Sequence, residues 1–413
     1  MNKNKNNSKN NHNISQRTGL KKIKESVREK VSHYEETRMG QKISKAGLIR
    51  VAIVCVLIIL AIVTAVTVVQ RKKYTEYAVN EDSITPKTDN VSNYEAVENY
   101  ILRYSSDGAS LLNKNLKSRW NVTYDMDNPS ADICEDTFVI YDHNGTNLQI
   151  FDQDGPIGSF KTSSPIVKAR VSKNGNVAAL VSENDAAVIH YYTSEGTEIA
   201  TISSTLKTNG YPLDFDLSPN GLYMTIAFAK IESSGIGTLL NFYDFSSSGS
   251  SYEENMASSD TYDSVVIPQV YYTDDTTIAA ISEDGFAIYK GKKPSLKKRV
   301  TFDEEIISFF HDDEKLGFVF QDENSDSPYI MKIYGIGGNL KSSKTIGVDF
   351  EKAQVSSGQL ILTGSSQLGI YDMSGNCKFE GTLNEGDIAS CLRIGDKQYL
   401  LVTNSKTETI YLK

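Results

Sequence analysis

Several residue types that would betray a chemistry are scarce in this chain of 413 residues. It has five His, at 12, 33, 143, 190 and 311, and no two stand at metal-ligand spacing, so a zinc or facial-triad site has no support. Four Cys cannot staple a chain of this length into a disulfide-dense fold. Nine Pro and 28 Gly exclude collagen and Pro/Gly-rich disorder. There is no G-x-S-x-G, P-loop, H-E-x-x-H, or G-x-G-x-x-G after a strand. No cofactor is expected. Positive charge is also short where most of the chain lies: residues 74–413 carry 27 Lys/Arg against 48 Asp/Glu. A nucleic-acid binder held by phosphate contacts is thereby excluded.

What is present is 39% hydrophobic and 23% charged, with 23 Tyr, 15 Phe and a single Trp. That is globular composition for most of the chain. The positive charge has collected at the start, where residues 1–50 carry 13 Lys/Arg against 4 Asp/Glu. Residues 1–13 are Asn-rich and of low complexity. From Leu20 to Tyr34, apolar positions recur every three or four residues with Lys and Arg between them. The spacing predicts a short basic amphipathic helix, either lying on lipid or connecting without a partner.

One apolar run exists, VAIVCVLIILAIVTAVTVV over residues 51–69. At about 1.5 Å per residue it matches the hydrocarbon thickness of a bilayer. A signal peptide fits poorly, because a 50-residue leader precedes the run and no small-x-small site follows it cleanly. The expectation is a single-pass plasma-membrane anchor. Five Lys/Arg precede it and four follow within 21 residues, which orients it weakly. The basic tail decides: residues 1–50 inside, the acidic domain 98–413 outside, and 70–97 a linker with at most one or two short strands.

From residue 98 the pattern is short period-two strands separated by Gly, Asn, Asp and Ser turns. A strand ending in an aromatic, a few polar residues and then Gly recurs at Tyr104–Gly108, Phe151–Gly155, Tyr192–Gly196, Phe245–Gly249, Tyr334–Gly338 and Tyr371–Gly375. Tyr289 and Tyr411 fill the remaining places, at intervals of 37 to 53 residues. A repeat of several strands near this length predicts an all-β fold, a β-propeller. The last unit stops after three strands, so an N-terminal strand is expected to complete it and close the ring. Seven blades follow from this reading; eight is the alternative, since eight aromatic elements can be counted.

Candidate residues are few. Lys292, Lys293, Lys297, Lys298 and Arg299 form a basic cluster around the expected outer strand of the fourth blade. They suit an anionic wall polymer, lipid headgroups or an acidic protein face, or else protect the sheet edge. Trp120 and Tyr124, in the least repeat-like stretch, could floor a binding site or cover the closure seam. Asp303–Glu305 and Asp312–Glu314, both expected in the fifth blade, read as solvated turns rather than an acid–base pair. Asp322–Asp326 has calcium-loop spacing at its start but lacks the Gly and the final Glu, and Asp152–Gly155 reads as a turn. Cys55 lies in the apolar run. Cys134 and Cys391 fall in first strands of the first and last of seven blades, which would be ring neighbours. Three Cys outside the run is an odd number, and buried free thiols are expected.

The ILRYSSDGASLLN element, WNVTYDMDNPSADIC at 120–134, PIVKARVSKNGNVAALVSE at 165–183 and GYPLDFDLSPNGLYM at 210–224 carry a resemblance. Over residues 45–413 the chain resembles a family of Gram-positive, mainly clostridial, single-pass membrane proteins known only as a domain of unknown function. More loosely it is similar to quinoprotein-like and WD40-like repeats. The resemblance implies location and architecture, no quinone cofactor and no catalytic residues. The expected role is a binding platform for envelope proteins or an anionic wall polymer, not an enzyme. A glycan or peptide sensor and a wall-glycan hydrolase are the alternatives. A channel mouth lined by aromatics and paired carboxylates would favour glycan chemistry, and a mixed surface would favour protein binding.

Overall fold

The computed structural model describes residues 72–86, 92–183, 186–205, 207, 209–232, 235–322 and 327–413, together with 25, 28, 52–61 and 64. The chain divides into two units, Met1–Gln70 and Arg71–Lys413. In the first unit, residues 25, 28, 52–61 and 64 are helical. Ile53 to Leu60 hold their apolar side chains out, from 53% exposed at Ile53 to 63% at Val56. Among the described residues no helix is long and apolar enough to cross a membrane. The ends of the apolar run, nearly all of the basic helix expected over 20–34, and residues 323–326 of the calcium-like loop lie outside the described residues.

In the second unit the described residues form 32 strands in eight four-stranded antiparallel sheets. Seven are simple meanders: residues 93–123, 129–161, 166–204, 211–262, 269–301, 306–346 and 352–382, blades 1 to 7. Blade 8 takes three strands from 388–412 and its outermost strand, Tyr77–Pro86, from the other end of the sequence. Tyr77 pairs with Leu412 and Pro86 with Lys406, so the ring closes without a free strand edge there. The stretch expected as a linker, 70–97, holds this closing strand and Asn93–Val97, the innermost strand of blade 1.

Eight blades correct the seven that the spacing favours, and blade 1 is the one missed. In blades 2 to 7 the aromatic–Gly element is the turn from third to fourth strand. Tyr104–Gly108 instead joins the second and third strands of blade 1. The equivalent turn there is Asn113–Lys117. Leu116 N–H donates to the Asn113 carbonyl at 2.8 Å, as Gly196 does to Thr193 at 3.0 Å and Gly375 to Asp372 at 2.8 Å. Leu116 has φ 59° where the other two blades place Gly at 82° and 81°. Without the glycine that this conformation favours, the turn leaves no mark in the sequence. After each of these turns the fourth strand carries a β-bulge, at the same register in blades 1 to 7.

Each seam between neighbouring blades holds one apolar cluster. Phe286, Phe318, Phe320 and Tyr334 fill the seam of blades 5 and 6, and Ile101, Leu392, Ile394, Leu400 and Val402 that of blades 8 and 1. The most continuously buried strands are second strands, such as Thr137–Asp142 and Thr277–Ser282. Innermost strands such as Pro129–Cys134 are half-buried throughout, because one edge faces the channel. The apolar strands are therefore one place out from the channel.

Candidate functional site

The innermost strands are joined across blades by carboxylates that accept main-chain N–H groups. Asp132 (blade 2) accepts from Val171 (blade 3) at 2.8 Å. Asp214 and Asp216 (blade 4) accept from Val270 at 3.0 Å and Tyr272 at 2.7 Å (blade 5). Alternation along a strand puts Asp214 and Asp216 on one side, two residues apart, in register with Val270 and Tyr272. Two cations from blade 3 neutralise them. Arg170 donates to Asp132 at 2.7 Å and to the Phe215 carbonyl at 3.1 Å, and stands 3.6 Å from Asp214 and 3.7 Å from Asp216. Lys168 donates to Asp214 at 2.5 Å. A second set joins blades 7 and 8: Gln354 donates to the Cys391 carbonyl, and Arg393 N–H to Ser356.

Asp132, Arg170 and Asp216 stand in the wall of a cavity of about 470 Å³ at the end of the ring where first strands turn into second strands. Arg170, Asp216, Tyr271, Tyr272 and His311 line it, with Glu135, Asp274, Asp275 and Asp313 from the turns. Three carboxylates share two cations here, and burial pushes the Asp216 carboxyl up to about 7 despite Arg170 beside it. The His311 ring stacks on Tyr271 at 3.6 Å. Burial, helped by the Arg170 charge, pushes its pKa down to about 4, so it is neutral at pH 7. Burial also raises Asp313, with Asp312, Glu135 and Glu314 adding to the effect. Cys134 lines the same cavity, but burial pushes its thiol up to about 12, which makes it a poor nucleophile. The arrangement can receive a polar or cationic group, and Arg170 is engaged by Asp132, the Phe215 carbonyl and the nearby Asp214 and Asp216.

The sequence candidates are dispersed. The basic cluster is split between the outer strand of blade 5, Ser295–Thr301, which carries Lys297, Lys298 and Arg299, and the turn before it, which carries Lys292 and Lys293. Arg299 donates to Asp284 at 3.0 Å and covers the Tyr262 ring at 4.9 Å. Lys297 donates to Ser295 at 2.9 Å, Lys293 sits over the Tyr252 ring at 5.9 Å, and Lys292 and Lys298 are exposed. Trp120 is on the outer strand of blade 1, stacked on Phe151 at 5.2 Å and Phe138 at 6.1 Å, and donates to the Gln153 carbonyl at 3.2 Å. It joins blades 1 and 2 and floors no channel. Tyr124 packs against the same cluster and lines a cleft of about 430 Å³. Asp303–Glu305 and Asp312–Glu314 stand at opposite ends of strand Ile306–His311 and form no pair.

All four cysteines are free, and a whole blade separates Cys134 from Cys391. Among the described residues no group of three His, Cys, Asp or Glu is placed to hold a metal ion. Sequence reasoning missed the channel residues Asp132, Arg170, Asp214 and Asp216. The alternating D-F-D of PLDFDL was their one signal, visible only once its register to the next blade is known.

The model of a family of unknown function, DUF5711, matches residues 70–412. The chain belongs to that family. The matched residues are the whole ring, closing strand included. No curated protein matches the chain in sequence. Among solved structures it is similar to a eukaryotic initiation factor at 13% identity, covering 79% of this chain and 86% of that one with a TM-score of 0.50. It is similar also to Saccharomyces cerevisiae Sqt1 at 8% identity, 81% and 100% coverage and a TM-score of 0.50. BamB from Moraxella catarrhalis follows at 10%, 80% and 100%, with a TM-score of 0.47. At these identities the likeness is one of fold, and the DUF5711 ring is a β-propeller.

Proposed function

We propose that this DUF5711 protein is a membrane-anchored β-propeller that acts as a binding platform for another protein of the cell envelope. The ring presents two ends of turns on a rigid frame, and rigid frames that position loops are suited to recognition. The observation that carries the reading is the channel end. Its charged and aromatic groups are held by interblade bonds, and Asp216, Asp275 and Asp313 still line an open cavity. The anchor is the run 51–69, with the basic tail inside and the ring outside. It draws support from the helix over 52–61, whose apolar side chains are exposed and would require a non-aqueous medium.

In-cell crosslinking of the tagged full chain in its native host, followed by affinity capture and mass spectrometry, tests the platform. The expected result is one reproducible envelope protein, lost when residues 72–413 are deleted. Recovery of wall fragments alone would overturn it. A ligand sensor is the second reading, favoured by the cavity itself. Against a sugar ligand, Tyr271 and Tyr272 are only 6% and 9% exposed, which leaves His311 as the one ring with a face to offer. A peptide or amine suits the carboxylate-lined mouth better than a glycan does.

A further inference from the structure

The turns from first to second and from third to fourth strand all lie at one end of the ring, as a four-stranded meander requires. At that end the outer turns are sharply divided by charge. Those of blades 2, 3 and 4 carry Asp154, Glu195, Glu253 and Glu254 and no Lys or Arg. Those of blades 5 and 1 carry Lys292, Lys293, Lys114 and Lys117, all exposed. In blade 6 the turn is neutral, but the bulged residue after it is the exposed Lys341, next to Leu340 at 52% exposure. In blade 5 the exposed Leu296 stands in the same place beside Lys297.

The chain reaches the ring in the middle of this cationic arc. Tyr74 N–H donates to the Lys378 carbonyl at 2.7 Å on the outer strand of blade 7, and Lys413 N–H to the Glu76 carbonyl at 2.9 Å. Lys72 and Lys397 both lie over the Tyr74 ring, at 5.2 and 4.9 Å. Four residues, 70–73, separate Tyr74 from the last residue of the apolar run. Fully extended they reach about 15 Å. If the run spans a bilayer, the point of the ring marked by Tyr74 is held near the headgroups, and cations flank it on both sides.

From these observations we propose that the cationic arc, from blade 5 through blade 8 to blade 1, rests on anionic lipid headgroups. The anionic turns of blades 2 to 4, across the ring, then point away from the bilayer. This inference rests on the anchor reading for its geometry. Charge complementarity and exposed leucines among lysines support lipid as the occupant.

The test uses residues 71–413, which form a unit of their own, sedimented with vesicles of phosphatidylcholine alone or with about 30 mol% phosphatidylglycerol. Binding is expected only to the anionic vesicles and should weaken as salt is raised. Each surface lysine near the headgroups contributes about fivefold. The quadruple variant Lys114→Glu, Lys292→Glu, Lys293→Glu, Lys341→Glu should therefore lose binding by at least about a hundredfold. Lys207→Glu, in the connection from blade 3 to blade 4, should bind as the parent does. Unchanged melting of the quadruple variant shows that it is folded. Equal binding to both vesicle types, no binding at low salt, or a quadruple variant that binds as well as the parent would overturn the proposal. Alkaline extraction of the full chain from its membrane tests the anchor separately. If the full chain resists extraction but the ring ignores anionic vesicles, only this inference falls.

Discussion

The seam between blades 5 and 6 and the seam between blades 8 and 1 solve one packing problem with different means. The first is aromatic: Phe286 stacks on Phe318 at 5.3 Å, and Phe302 meets Phe318 and Phe320 edge-on at 5.0 and 5.1 Å. The second buries only aliphatic residues, Ile101, Leu392, Ile394, Leu400 and Val402. Blade 8 is also the blade assembled from both ends of the ring sequence. The closing junction thus relies on strand pairing between Tyr77–Pro86 and Lys406–Leu412, with Tyr77 and Val79 packed toward blade 7. Covalent continuity supplies the fourth strand in seven blades, and hydrogen bonds must supply it in the eighth.

Removing the closing strand is the most severe way to break that comparison. A chain starting at residue 87 should leave the Lys406–Leu412 edge unpaired and lose the monomeric ring, seen as aggregation in size-exclusion chromatography and a lost thermal transition. A monomer melting as the parent does would show that the aliphatic seam holds alone. Next come the seams themselves. Phe318→Ala, at a position with no exposure, should cost about 3–5 kcal/mol in urea denaturation. Leu400→Ala in the closing seam should cost about 2–3 kcal/mol, at the lower end for such truncations, because fewer large side chains surround it.

The polar staples sharpen the contrast between the half of the ring at blades 2 to 5 and the closing half. The Asp214 side chain is 1% exposed and holds Lys168 and the Val270 N–H. Asp214→Ala leaves both without it and should cost about 3 kcal/mol by the same measurement. The pH dependence comes from the same place. Asp216 titrates at about 7 in the ring against about 4 unfolded, so its contribution to stability is greatest at acid pH and is lost as pH rises through 7. His311 titrates at about 4 against 6.5 unfolded, so stability is lost as pH falls from 6.5 to 4. The two oppose each other between pH 4 and 6.5. Asp216→Asn should expose the His311 loss on acidification, and His311→Gln the Asp216 gain; thermal melts across that range read both. The smallest effect is at the perimeter. Arg299→Ala gives up the Asp284 pair and the Tyr262 ring, both partly exposed, and should shift stability by no more than about 1 kcal/mol.

Legibility followed how strongly a local conformation constrains its residues. Turns that need positive φ select Gly, so Gly196, Gly338 and Gly375 mark three of the blades in the sequence. Blade 1 stayed hidden because Leu116 accepts the same conformation, and because Tyr104–Gly108 imitates the motif at a different turn. The Lys292–Arg299 cluster could be placed around an outer strand because it follows the aromatic–Gly turn of Tyr289 and Gly291, and an outer strand leaves its side chains exposed. The channel could not be read. Asp132, Arg170 and Asp214 come from three blades, and in one sequence nothing distinguishes a carboxylate that accepts a neighbouring blade's N–H from one that faces water.

Local pattern carries the all-β repeat, the acidic ring against a basic start, the open last blade and the one apolar run. Each is a matter of composition or short-range periodicity, which the chain carries locally. The tertiary structure alone decided the eighth blade, the neighbours that separate Cys134 from Cys391, the interblade staples and the division of charge around one end of the ring. These depend on which residues the closed ring brings together. Ring closure pairs Tyr77 with Leu412, a contact 335 residues apart that no local pattern encodes.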